Sequence, residues 1–168
     1  MQTNEIRKTL YAGRESGGGN CNEQLFEQYK IYLASADTNS SRRQTANSFF
    51  VTLNTVLVSL ISYLNMGDSG TSPFFGTIAI AGICICYMWF RLVRSYRDLN
   101  SAKFKVIHEI EKSLPISPYD AEWEAVGRGQ DSKLYLPFTN VEMYVPIVFI
   151  MLHLFVLISS FVSIKVLT

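Results

Sequence analysis

Few residues in this chain have the chemistry of an active site. Its two histidines are His108 and His153, and hydrolysis or metal-assisted chemistry needs a base or a cluster of ligands within mutual reach. His108-Glu109-Ile110-Glu111 lacks the spacing of a metal site and reads as the solvated face of a helix. Cys84 and Cys86 lie two apart, which on a helix sends them to different faces, so they read as small apolar residues and not as shared ligands. Gly17-Gly18-Gly19 lacks the lysine and the flanking strand of a phosphate-binding loop. The expectation is a protein that is not an enzyme and uses no cofactor or metal. His153 stays of interest because it falls inside a long apolar run. An ionisable group there is a candidate gate, and the alternative is a neutral imidazole hydrogen-bonded to a neighbouring helix.

A second pattern is built from uncharged polar side chains. At 100° per residue, Asn47, Ser48, Thr52, Asn54, Thr55, Ser59, Ser62 and Asn65 fall on one half of a helix, and Phe49, Phe50, Leu53, Val56, Leu57, Leu60, Ile61, Tyr63 and Leu64 on the other. An unpaired amide or hydroxyl is costly in lipid, so the polar half must meet another helix, another subunit or water. Asn47, Thr52, Asn54, Thr55, Ser59 and Ser62 therefore form a candidate face for lining a pore or for helix packing, and both readings stand.

The elements that carry these residues are spans. Residues 46–65, 73–93 and 144–164 contain a single charged side chain, Arg91. Each run of about 20 residues reaches about 30 Å as a helix, the thickness of a bilayer's hydrocarbon core. Residues 1–20 read as a flexible arm. Residues 21–45 hold a cytoplasmic helix leading into the first span, since Leu25, Phe26, Tyr29, Tyr32, Leu33 and Ala36 recur at helical spacing. Residues 66–72 form an external loop. The helix of the second span is expected to run on toward Pro115 within a cytoplasmic helical region, 94–141. Ser117-Pro118 opens a short helix there, and Thr139 with Glu142 reads as a capping box, stapled by Phe138 and Met143, before the third span.

Basic residues set the orientation. Arg42 and Arg43 precede the first span, and Arg91, Arg94 and Arg97 flank the second, whereas the 66–72 loop has neither Lys nor Arg. These topology anchors put the amino terminus in the cytoplasm and, after three crossings, the carboxyl terminus outside, with Lys165 near the headgroups. Trp89 and Tyr144 fit an aromatic belt at the inner boundary, and Tyr63 at the outer one. The net charge of +1 and the mixed signs along 94–114 give no nucleic-acid patch, so no direct nucleic-acid binding is expected. Three helices are too few to enclose a wide lumen, which implies homo-oligomerisation. Candidate subunit contacts are Tyr96, Leu99, Ile107, Ile110, Tyr119 and Trp123.

Several stretches carry a resemblance. Ser41-Arg-Arg-Gln-Thr-Ala-Asn-Ser-Phe-Phe50, Leu53-Asn-Thr55, Arg94-Ser-Tyr-Arg-Asp-Leu-Asn-Ser-Ala-Lys-Phe104, Pro118-Tyr-Asp120 and Glu122-Trp123 resemble the small bacterial RipA family of octameric membrane proteins, across about residues 22–165. That family is similar to the membrane accessory proteins of type VI, RNA-targeting CRISPR systems. The resemblance implies an all-α, octameric, pore-like ring in the bacterial inner membrane that impairs the membrane in antiphage defence or stress. Its implied partners are the bilayer, further copies of itself and, functionally, a CRISPR effector or other defence component; the alternative is a non-conducting scaffold for a cytoplasmic partner. No arginine lies four to six residues before either histidine, so the ribonuclease chemistry of HEPN domains is not carried over.

Overall fold

A computed structural model describes residues 3–12, 21–67, 73–130, 134–135 and 138–167. Five α-helices are present among them: α1 (Thr3–Leu10), α2 (Cys21–Gly67), α3 (Pro73–Glu111), α4 (Pro118–Ala125) and α5 (Phe138–Leu167), with a 3-10 turn at Gly127–Gly129. No strand occurs among the described residues. Three of the helices are long and apolar enough to cross a membrane, within Asn22–Leu64, Phe74–Glu111 and Val141–Val162. The helix expected over 21–45 and the first span are one unbroken element, because residues 21–66 contain neither glycine nor proline.

The chain forms two compact units, Met1–Ser41 with Tyr96–Pro137, and Arg42–Ser95 with Phe138–Thr168. In the second unit the inward residues of each helix alternate at spacings of three and four. They are Asn47, Phe50, Asn54, Leu57 and Ile61 on α2, Phe75, Ala79, Gly82, Cys86, Trp89 and Val93 on α3, and Pro146, Phe149, His153, Val156 and Ser160 on α5. This is the period of a coiled-coil seam, 3.5 residues per turn. The spans therefore pack along narrow stripes that mix large, small and polar residues, and most of their apolar surface points outward.

The first unit has an apolar core of Tyr29, Ala36, Ile107 and Ile110, with Leu25, Tyr32, Leu33, Phe104, Val106, Leu114 and Tyr119 packed against it. The expectation that Ile107 and Ile110 contact another subunit is corrected here, since both are buried in their own chain. Tyr96 and Tyr119 are half-buried, and Leu99 and Trp123 are exposed.

The solvated face expected at 108–111 is also corrected. Glu111 is fully buried and Glu109 nearly so. The Glu111 carboxylate accepts the Tyr29 hydroxyl at 2.8 Å and the backbone N–H groups of Tyr119 and Asp120 at 2.9 and 3.0 Å. It caps α4 from another helix, where donors otherwise have no intrahelical partner and a negative charge is favoured. Ser117, the expected cap, instead donates to the Glu111 carbonyl at 3.3 Å. Burial and the Glu111 carboxylate beside it push the Tyr29 phenol well above its ordinary pKa. Glu109 is matched by Lys112 at 2.7 Å and Arg7 at 3.9 Å.

The amino-terminal arm departs from expectation as well. Thr3–Leu10 is helical, with Glu5 in its first turn and Arg7 and Lys8 in its last, charges of the sign that each helix end favours. Tyr11 lies 3.0 Å from the Ser113 hydroxyl. The glycine run is confined to residues 17–19, which lie outside the described residues. Beyond α4, Gly127, Arg128 and Gly129 all have positive φ, and a side chain at Gly129 would crowd the Trp123 indole.

Candidate functional site

The most distinctive site lies inside the transmembrane unit, where Asn54 of α2, Cys86 of α3 and His153 of α5 meet with no solvent exposure. The Asn54 Oδ1 accepts the Cys86 thiol at 3.0 Å and lies 3.1 Å from His153 Nε2, while its amide nitrogen donates to the Phe50 carbonyl at 2.9 Å. An amide oxygen can only accept, so the imidazole carries its proton on Nε2. His153 Nδ1 is buried and has no hydrogen-bond partner among the described residues. Gly82 makes room for the ring, because a Cβ there would overlap the imidazole. One residue from each span thus joins a polar cluster whose Asn54, Cys86 and His153 Nε2 groups lipid would otherwise leave unpaired.

Toward one end of the spans, the Trp89 indole N–H donates to Asn47 Oδ1 at 2.8 Å. Its ring stacks on Phe50 at 5.8 Å and tilts against Phe149 at 6.1 Å. Trp89 is buried, which corrects its assignment to an aromatic belt, and this follows from its place on the seam. Tyr63 and Tyr144 are exposed. Arg43 pairs with Glu142 at 3.3 Å, and Arg42, Arg91, Arg94 and Arg97 are exposed.

The polar half of the first span separates into two sets. Asn47 and Asn54 point into the unit, while Thr52, Thr55, Ser59 and Ser62 are exposed, as is Ser48. Ile61, expected on the bulky outer half, is buried. The exposed hydroxyls follow spacings of four and three beside the inward seam. Thr55 and Ser62 donate to the carbonyls of Val51 and Val58, four residues back, at 2.8 and 2.9 Å. Such bonds relieve the cost of a hydroxyl in lipid, so these two side chains need neither water nor a partner. The side chains of the 139–142 capping box and of Phe138, Asn65 and Lys165 fall partly or wholly outside the described residues. Among the described residues no cluster of histidine, cysteine or carboxylate could hold a metal.

A family model for octameric membrane proteins (8xMP) matches residues 26–162, well over half of the chain. The chain belongs to the octameric membrane protein family. No curated protein and no solved structure shows a significant match. Membership in the 8xMP family makes the chain a homo-oligomeric membrane protein, and it changes the meaning of the exposed surfaces. Neighbouring copies cover part of what one chain leaves open, and in a closed ring each copy presents two different faces to its neighbours. The hydrogen bonds that join Asn54, Cys86 and His153 form within one chain, and His153 Nδ1 is the one polar atom of the three side chains left without a partner among the described residues. The hydroxyl stripe stays open in one chain.

Proposed function

We propose that this 8xMP protein forms an octameric ring in a bacterial inner membrane, amino terminus in the cytoplasm and carboxyl terminus outside, and that the ring permeabilises the membrane. The observation that carries this reading is the exposed stripe Ser48, Thr52, Thr55, Ser59 and Ser62 on α2, on a surface otherwise occupied by Phe49, Val56 and Tyr63. In a ring this stripe lines the passage. Asn54 and His153 lie behind it and hold the three spans together, so His153 acts on a gate by fixing helix positions and not by lining the lumen. The protein is not an enzyme in this reading. The resemblance to the RipA family, which is similar to the accessory proteins of type VI CRISPR systems, supports a role in antiphage defence or a stress response. The positive-inside bias of Arg42, Arg43, Arg91 and Arg94 supports the orientation.

One observation favours a non-conducting scaffold that organises a cytoplasmic partner: Thr55 and Ser62 already bond to their own helix and have no need of a wet lumen. Single cysteines at Thr52, Thr55, Ser59 and Ser62, in a chain carrying Cys21→Ser and Cys84→Ala, separate the two readings. A lumen exposes these thiols to a membrane-impermeant methanethiosulfonate reagent in assembled octamers. Thiols that stay unmodified at all four positions would reject the lumen and favour the scaffold.

A further inference from the structure

The chain passes between its two units at residues 41–42, 95–96 and 137–138. The first two passages lie inside α2 and α3, which run through them as unbroken helices. The third falls at the start of α5, so here a span begins where the chain enters the second unit. Pro146 follows within the same helix and is fully buried. Proline has no backbone N–H, and its ring crowds the carbonyl four residues back. In α5 that carbonyl belongs to Glu142. One rung of the helix ladder is therefore missing between the opening turns, 138–145, and the rest of α5, and a helix bends where such a rung is lost.

The side chain of the same residue supplies a different tie. Glu142 Oε2 lies 3.3 Å from Arg43 Nη1 on α2, and the two side chains are only 12 % and 17 % exposed. Arg43 stands on a helix with neither glycine nor proline from residue 21 to 66, which makes it the fixed side of the pair. Packing adds little to the opening turns, since none of residues 141–145 is buried, and Val141 and Tyr144 are exposed. Beyond the proline, Phe149 meets the Trp89 ring and His153 meets Asn54. Thus α5 is held along its seam from Pro146 onward, and before it by the Arg43–Glu142 pair.

We propose that residues 138–145 form a hinged segment, with its pivot at Pro146 and its latch at Arg43–Glu142. Opening the latch frees the start of α5 while the seam through Phe149, His153 and Ser160 stays packed. The device is independent of conduction.

Hydrogen exchange of the full-length octamer in lipid nanodiscs tests it. Arg43→Gln leaves a withdrawn carboxylate without its cation, and exchange over 138–145 is expected to accelerate by more than about tenfold while 149–160 keeps the wild-type rate. Exchanging the charges, Arg43→Glu with Glu142→Arg, is expected to restore most of the protection. Pro146→Ala returns the missing N–H, so in the Arg43→Gln background it is expected to slow exchange over 138–145 again. Unchanged exchange in Arg43→Gln overturns the latch. Acceleration spread evenly along α5, or left untouched by Pro146→Ala, overturns the hinge. If Arg43→Gln fails to assemble, Pro146→Ala alone decides: it is expected to slow exchange over 138–145 by about fivefold, the scale of one backbone hydrogen bond, and an unchanged rate overturns the proposal.

Discussion

Nε2 of His153 lies 3.1 Å from Oδ1 of Asn54, across 99 residues of sequence, and the same oxygen takes the thiol of Cys86. Asn54 is therefore the acceptor on which all three spans converge. Removing it strands two buried donors, whereas removing His153 takes away a donor together with an imidazole nitrogen that already lacks a partner.

Asn54→Ala is expected to lower the stability of the assembled protein by about 1–3 kcal/mol, the scale of one or two hydrogen bonds between transmembrane helices together with lost packing. His153→Leu, which fills much of the same space without a polar atom, is expected to cost less. Thermal dissociation of the detergent-solubilised octamer checks the order, and an Asn54→Ala variant as stable as wild type would show that the cluster holds nothing together.

Gly82 and His153 make a size-matched pair. Gly82→Ala is expected to destabilise by about 1–3 kcal/mol, because the new methyl group overlaps the imidazole in a packed interior. Gly82→Ala combined with His153→Ala is expected to recover part of that loss. A double-mutant cycle on the same thermal measurement tests this, and additive losses would contradict direct contact.

Much of this arrangement is legible from sequence, and the physical limits of that reading are specific. The spans announce themselves because hydrocarbon thickness demands a run of apolar residues, and the long helix through Cys21–Gly67 follows from the absence of breakers. The split of the first span's polar face is harder. A 100° projection puts Asn54 and Ser59 together, while packing at 3.5 residues per turn turns Asn54 and Ile61 inward and leaves Ser59 outside. The choice of His153 as partner depends on the register of α5 against α2, which no local pattern encodes. Glu111 reads as a solvated charge because its ligands, Tyr29 and the first turn of α4, come from elsewhere in the chain.

Glu111→Ala is expected to release α4, since the carboxylate supplies two of its amino-terminal hydrogen bonds, each to a charged acceptor and worth about 1.5–3 kcal/mol. Hydrogen exchange over Pro118–Ala125 should accelerate by more than about tenfold, with Glu111→Gln intermediate. Unchanged exchange would show that α4 is held by other contacts.

Tyr29 adds a pH dependence to the same cluster. Its phenol is raised above the ordinary value, so the folded unit favours the protonated form. The resulting stability is fully present below about pH 10, the unfolded value, and is lost as pH rises through the folded one. Alkaline loss of protection in α4 is expected in wild type and is expected to flatten in Tyr29→Phe. An identical alkaline profile in the variant would remove Tyr29 from this linkage.

The most direct test of permeabilisation is ion efflux from liposomes reconstituted with octamers whose subunit count has been verified by mass. The proposed ring predicts leak that scales with octamer number and falls when cysteines at Thr52 or Ser59 are modified from the aqueous side. Intact octamers that hold the liposomes tight under every trigger tried would contradict it and leave the scaffold as the function of this chain.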